Sequence, residues 1–152
     1  MPEPGERAPD FVLPSTNGEV RLSERLVRGR VLLAFYVEDA TPACTTEVAA
    51  LTDAYETLRE LGADVIAVSA DGVESHRAFA ERLGGVPFAL ASDGDLAVAS
   101  AYGVIAEDDA RRSRRALFVI EQDGTVSYAA DPYQPNNLSQ LEGALRALGV
   151  EL

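Results

Sequence analysis

One cysteine, one histidine and no lysine occur among the 152 residues of this chain. The single cysteine, Cys44, excludes an intramolecular disulfide and with it a small secreted domain stapled by bridges. It also leaves no Cys-x-x-Cys pair, which disfavours a dithiol oxidoreductase. Structural zinc sites draw on thiolates and imidazoles, and His76 is the sole imidazole, so neither a metal nor another cofactor is expected. No run approaches the ~18–20 apolar residues that cross a bilayer. The opening, Met1 to Pro9, is polar and proline-rich, without the basic start and apolar stretch of a secretory leader, and the expected location is the cytoplasm. Positive charge is scarce: 13 basic residues, all Arg, face 25 acidic ones, for a net charge of −12. A field of that sign repels phosphate backbones and anionic lipid, so nucleic acid and membranes are not expected partners. The all-Arg choice fits a GC-rich genome or a salt-adapted proteome equally and has no bearing on mechanism.

What is present is an ordinary globular composition, 47% apolar, at the length of one domain, 1–152. A core of that size needs no covalent staple. Residues 31–37 (VLLAFYV) form a continuous apolar, β-favouring run, which predicts a strand buried on both faces. Over 43–62, Val48, Leu51, Ala54, Tyr55, Leu58 and Leu61 recur at helical spacing, and Gly62 stops the helix. A second buried strand is expected over 64–70, a helix over 73–83, a short strand near 88–92 and a short helix near 95–102. Asp123-Gly124 predicts a turn between two strands within 116–130, and an amphipathic helix is expected over 138–148. The strand–helix alternation implies parallel strands, and the late hairpin adds antiparallel ones. The expected class is α/β: a central mixed sheet with helices on both faces.

The chemistry concentrates in 35-FYVEDATPACTTEV-48. This segment leaves the C-terminal edge of a buried strand, where open α/β sheets bind ligands, and enters a helix. Cys44 falls in the first turn of that helix, whose partial positive charge favours a thiolate. Thr41 stands three residues earlier, where its hydroxyl can fold back towards the sulfur. Pro42 suits an opening turn. A lone cysteine is more often a small buried hydrophobe than a nucleophile. A structural cysteine gains nothing from this placement, whereas a nucleophile depends on it.

The segment resembles the peroxiredoxin signature of Pro, three residues, Thr or Ser, two residues, Cys. It is most similar to the bacterioferritin comigratory protein, or Q-type, subgroup. The blocks at 5–24, 69–93, 102–104 and 115–124 resemble the same family in the same order. The resemblance implies a thioredoxin-like fold and a thiol-dependent peroxidase with an antioxidant role in redox homeostasis. Cys44 would be the peroxidatic cysteine, attacking hydrogen peroxide or a small alkyl hydroperoxide and becoming a sulfenic acid. Thr41 would hydrogen-bond the peroxide. Arg115 would stabilise the thiolate and the charge building on the peroxide oxygens. The N–H groups of Ala43 and Cys44 would help to hold the substrate, and Glu47 would orient the Arg115 guanidinium.

The chain departs from the family in two places. Val37 stands where the signature has proline; it can shield the thiolate but does not lock φ. Ala49 stands where much of the subgroup has a resolving cysteine, five residues after the peroxidatic one. A one-cysteine cycle follows, with Cys44 resolved by thioredoxin, glutaredoxin, a low-molecular-weight thiol or the Cys44 of a second copy. A monomer or weak homodimer is expected, with the loops flanking Cys44 as the contact if copies pair. The rival class is a redox-sensing or binding protein with weak turnover.

Other features read as structural. The 111–115 cluster (RRSRR) is expected to be a solvated loop with one functional arginine at its end, Arg114 being the fallback if the register slips by one. His76 is expected at the surface of its helix. Residues 93–95 (DGD) lack the later glutamate of a calcium loop and read as a cap and turn. Residues 132–137 read as a loop that can cover one side of the site, with Asn136 or Asn137 capping the last helix.

Overall fold

A computed structural model describes residues 2–134 and 138–149. Asn136 and Asn137, expected as a helix cap, lie outside the described residues.

Seven strands form one sheet in the order β2-β1-β5-β4-β3-β6-β7. The strands are β1 (Val12–Ser15), β2 (Gly18–Arg21), β3 (Arg30–Phe35), β4 (Ala63–Ser69), β5 (Ala89–Ser92), β6 (Ala116–Ile120) and β7 (Val126–Ala130). The helices are α1 (Leu22–Arg28), α2 (Pro42–Glu60), α3 (Val73–Arg82), α4 (Ala97–Ala101) and α5 (Leu138–Ala147). β3, β4 and β5 run parallel, while β6, β7 and the β1–β2 hairpin pair antiparallel. The mixed sheet with helices on both faces is the one expected from the strand–helix alternation. β1, β2 and α1 are not among the elements expected from the sequence.

The period-two alternation of a strand assigns β3 to two cores. Val31, Leu33 and Phe35 face one layer, with Leu22 and Leu26 of α1 and Val98 and Ala99 of α4. Leu32 and Ala34 face the other, with Val48, Leu51 and Leu58 of α2, Phe79 of α3 and Ala144 of α5. Each such fully buried aliphatic side chain contributes roughly 1.5–3 kcal/mol against exposure. The central strands therefore have no freedom to slip, because a one-residue shift would exchange the two faces.

Two glycines fix the end of the sheet opposite Cys44. Gly62 closes α2 at φ +76, a conformation that costs glycine little. Its carbonyl oxygen would lie 2.2 Å from any Cβ placed on Gly29, so the start of β3 can approach the α2–β4 turn only as glycine.

Candidate active site

β3 delivers the chain to the C-terminal edge of the sheet, where the Tyr36 N–H still donates to the Val68 carbonyl at 2.9 Å. Six residues later α2 begins at Pro42, a residue pre-set for an opening turn. Between them Ala40 adopts φ +62, a left-handed conformation that costs a residue with a Cβ about 1 kcal/mol or more. The first i to i−4 bond of α2 runs from the Thr45 N–H to the Thr41 carbonyl at 2.8 Å. The N–H groups of Ala43 and Cys44 precede it and stand as a donor pair at the positive end of the helix.

Cys44 is wholly buried, in the layer that holds Tyr36, Val48 and Tyr133, with Val37 packed against it. Thr41 departs from the expectation that its hydroxyl turns towards the sulfur. Its Oγ1 donates instead to the Glu38 carbonyl at 3.0 Å. It makes no side-chain cap to α2 either. The proton is committed to the loop, while the oxygen lone pairs remain available as acceptors.

Glu47 follows Cys44 by one helical turn and is also wholly buried. Burial, and next the nearby Cys44, push its carboxyl pKa well up, against the opposing pull of Arg115. Arg115 precedes β6, and the pairing of Phe35 with Ala116 sets it beside the end of β3. Among the described residues, the buried side-chain polar atoms without a hydrogen-bond partner are both carboxyl oxygens of Glu47 and Nε of Arg115. The two side chains act on each other electrostatically but make no hydrogen bond, so the expected orienting contact is absent in this state. Tyr133, from the 132–137 loop, was not singled out from the sequence. It is buried in the same layer, its N–H donates to the Arg115 carbonyl at 2.8 Å, and its phenol is pushed up to about 12 by burial and then by Glu47. Through Tyr133, the described part of that loop, 132–134, packs on the layer that holds Cys44.

His76 overturns its expected surface placement. It is fully buried, with Nδ1 2.8 Å from Asp39 Oδ2 and Nε2 3.0 Å from the Ala91 carbonyl oxygen. The helical spacing of 76, 79, 80 and 83 puts it on the apolar face beside Phe79, a signal that its charged neighbours masked. The 111–115 cluster is likewise not a solvated loop. Arg112 pairs with Glu38 at 3.2 Å, and Arg114 binds the Asp131 carboxylate and the carbonyls of Gly103 and Ile105. Arg114 is thereby spent on structure, which leaves Arg115 as the arginine with unused donor capacity. Asp93 is the cap read from the sequence: its carboxylate accepts the N–H groups of Val98 and Ala99.

With a buried thiol at a helix N-terminus and an arginine arriving from the next strand, likeness to known proteins can be weighed against geometry. The family model described as AhpC/TSA matches residues 4–129. The putative peroxiredoxin bcp of Coxiella burnetii is 34% identical over 130 residues, covering 82% of this chain and 85% of that protein. The chloroplastic peroxiredoxin Q of Arabidopsis thaliana is 37% identical over 122 residues, covering 80% of this chain and 56% of that longer protein. Among solved structures, peroxidoxin BcpB of Mycobacterium tuberculosis superposes with a TM-score of 0.87 at 30% identity and covers 97% of each chain. The thioredoxin-like arrangement and the order of the blocks are thus shared along nearly the whole length, and the chain belongs to the AhpC/TSA family of peroxiredoxins.

Proposed function

We propose that this chain reduces hydrogen peroxide and small alkyl hydroperoxides at Cys44 and regenerates the cysteine with external thiols. The observation that carries this reading is the set of unpartnered buried atoms, Glu47 Oε1 and Oε2 and Arg115 Nε, gathered around a buried sulfur. Natural cores leave few such atoms, and a cluster of them beside a nucleophile marks a reaction site.

The first step forms an S–O bond and breaks the O–O bond. The Cys44 thiolate attacks the terminal oxygen, becomes the sulfenic acid, and the departing oxygen leaves as water or an alcohol after taking a proton. The Ala43 and Cys44 N–H groups and the Arg115 guanidinium are donors for the oxygens on which charge accumulates. Thr41, with its proton held by Glu38, can accept from the peroxide O–H. Burial works against charge on Glu47, which lessens its competition with the thiolate and peroxide for the Arg115 charge.

Resolution consumes two equivalents of thiol. The first displaces water from the sulfenic acid to give a mixed disulfide, and the second releases Cys44 and a small disulfide. Cys44 is the only cysteine, so both come from outside its own chain, from thioredoxin, glutaredoxin or a low-molecular-weight thiol. A cycle that draws on free thiols suits a reducing compartment, and we place the chain in the cytoplasm on that ground. Only Val12 and Val27 are large exposed hydrophobic residues among those described, which supports a monomer.

Stopped-flow oxidation of the reduced protein tests the reading. The expected rate lies orders of magnitude above that of a free thiol at the same pH, and Cys44→Ser or Arg115→Ala removes the excess. Dimedone should trap the sulfenic acid after one equivalent of peroxide. A rate equal to that of a free thiol overturns the enzyme and favours a sensing protein, a reading motivated by the buried sulfur and by Val37 in the proline position.

A further inference from the structure

The segment from Tyr36 to Thr41 carries the chain from the sheet to Cys44, and buried groups that peroxide chemistry does not use hold it from outside. His76 Nε2 faces the Ala91 carbonyl oxygen at 3.0 Å. A carbonyl only accepts, so Nε2 carries a proton. His76 Nδ1 lies 2.8 and 3.0 Å from the two oxygens of Asp39. The Tyr36 hydroxyl, also 3.0 Å from Nδ1, donates its one proton to Asp39 Oδ1 at 2.6 Å. A further proton must therefore lie between Nδ1 and Asp39. Burial raises the Asp39 pKa, but the hydrogen bonds from His76, Tyr36 and Ser75 outweigh it and hold the carboxyl below its ordinary range. Asp39 is thus only 4% exposed and shares a proton with His76 Nδ1 inside the core.

Such a pair adds little to a core that apolar side chains would fill as well. What it provides here is position. Asp39 accepts from Ser75 at 2.7 Å, and its own N–H donates to Asp71 at 2.9 Å. These bonds tie the loop to α3 and to the end of β4. The loop has little local reason to keep its shape: Ala40 is left-handed, α2 has no side-chain cap, and the Thr41 hydroxyl bonds only within the loop. Cys44 is wholly buried, so a thiol reductant larger than peroxide cannot reach the sulfur while the loop is closed.

We propose that the buried Asp39–His76 pair is a latch on the Cys44 loop, which assembles the peroxide pocket when closed and admits the external thiol when open. The proposal rests on the peroxidase reading and deepens it. Asp39 and His76 are positioning residues that act through the loop.

Two rates separate the states, measured where circular dichroism shows each variant folded. Oxidation by hydrogen peroxide needs the assembled pocket. Labelling by dithiobis-nitrobenzoate needs an exposed sulfur. Asp39→Ala and His76→Ala should each lower the first and raise the second by about tenfold or more, as loss of a closed state requires. Asp39→Asn should stay within about threefold of the parent in both, because its amide accepts from Tyr36 and donates to a neutral Nδ1. Should the alanine variants fail to fold, Ser75→Ala, which removes one bond to Asp39, should still raise labelling about twofold to threefold. Unchanged labelling in the folded variants, or Asp39→Asn behaving like Asp39→Ala, overturns the latch. A parent peroxide rate equal to that of a free thiol overturns the peroxidase reading instead, while the labelling contrast still reports on the loop.

Discussion

Arg30, at one end of the parallel strands, and Arg115, at the other, are treated in opposite ways. At the start of β3, Arg30 donates to the carbonyls of Leu61, Leu148 and Ala147 at 2.8, 2.9 and 3.5 Å. Arg25 and Arg59 share the Asp64 carboxylate, at 3.0 and 3.7 Å. With Arg28 these side chains line a cavity of about 250 Å³, which taken alone resembles an anion site. The C-terminal turns of α1, α2 and α5 converge there, however, and their partial negative charge is what the guanidinium groups answer. At the other end, Arg115 keeps a buried Nε without a partner beside an equally unpartnered Glu47. A satisfied arginine is architecture. An arginine with a buried donor left without a partner is a reagent awaiting one.

The largest expected contrast comes from deleting one arginine at each end. Arg115→Ala should slow Cys44 oxidation by about 10²-fold or more, the usual loss for a donor to developing negative charge, and shift stability by less than about 1 kcal/mol. Arg30→Ala should leave the oxidation rate unchanged and cost about 2–3 kcal/mol, because three carbonyls lose a charged donor. Stopped-flow kinetics and urea unfolding on the same pair of variants decide the matter. Equal effects of the two substitutions on rate would erase the distinction between the ends.

Glu47 sharpens the comparison through pH. Its folded pKa is raised above the ordinary 4.5, mainly by burial. Below that value both states are protonated and no penalty exists. As pH rises towards the folded pKa, the unfolded chain releases the proton and the folded chain retains it, so stability falls by up to about 1.4 kcal/mol per pH unit. Glu47→Gln removes the titration, and its unfolding free energy should lack that slope. Parallel curves for the two proteins as pH rises from the ordinary carboxylate range to neutrality would mean that Glu47 ionises freely in the fold.

The parts of this design that the sequence displays are those set by periodicity and position. The apolar run of β3, the helical repeat of α2 and the Asp123-Gly124 turn each bury or bend the chain by local rules. The site residues Cys44 and Arg115 follow from the family blocks and from the strand-to-helix transition. The β1–β2 hairpin was legible in principle, since Asn17-Gly18 is a strong turn signal. Its four-residue strands and Pro14 hide the alternation. The commitment of the Thr41 hydroxyl to Glu38, and the burial of His76 against Asp39, depend on which carbonyl or carboxylate another element brings near. Composition cannot supply that information. The same limit applies to Arg114 and Arg115, neighbours in sequence whose roles differ because Asp131 reaches only the first.

The smallest structural change offers the last test. Ala49 is half-buried on α2, five residues beyond Cys44. In an intact α-helix that spacing separates the two Cα atoms by about 9 Å, more than the roughly 7 Å a disulfide tolerates. Ala49→Cys should therefore alter stability by no more than about 0.5 kcal/mol and leave the rate of Cys44 oxidation unchanged. Its product should differ. After one equivalent of peroxide the variant should lose two hydrogens by intact mass and resist dimedone, where the parent gains one oxygen and reacts. That disulfide can close only if the first turns of α2 unwind around the oxidised sulfur, the same opening an external thiol needs. A variant that accumulates sulfenic acid like the parent would show that the helix stays wound, and resolution would then have to reach Cys44 by some route other than opening of its loop.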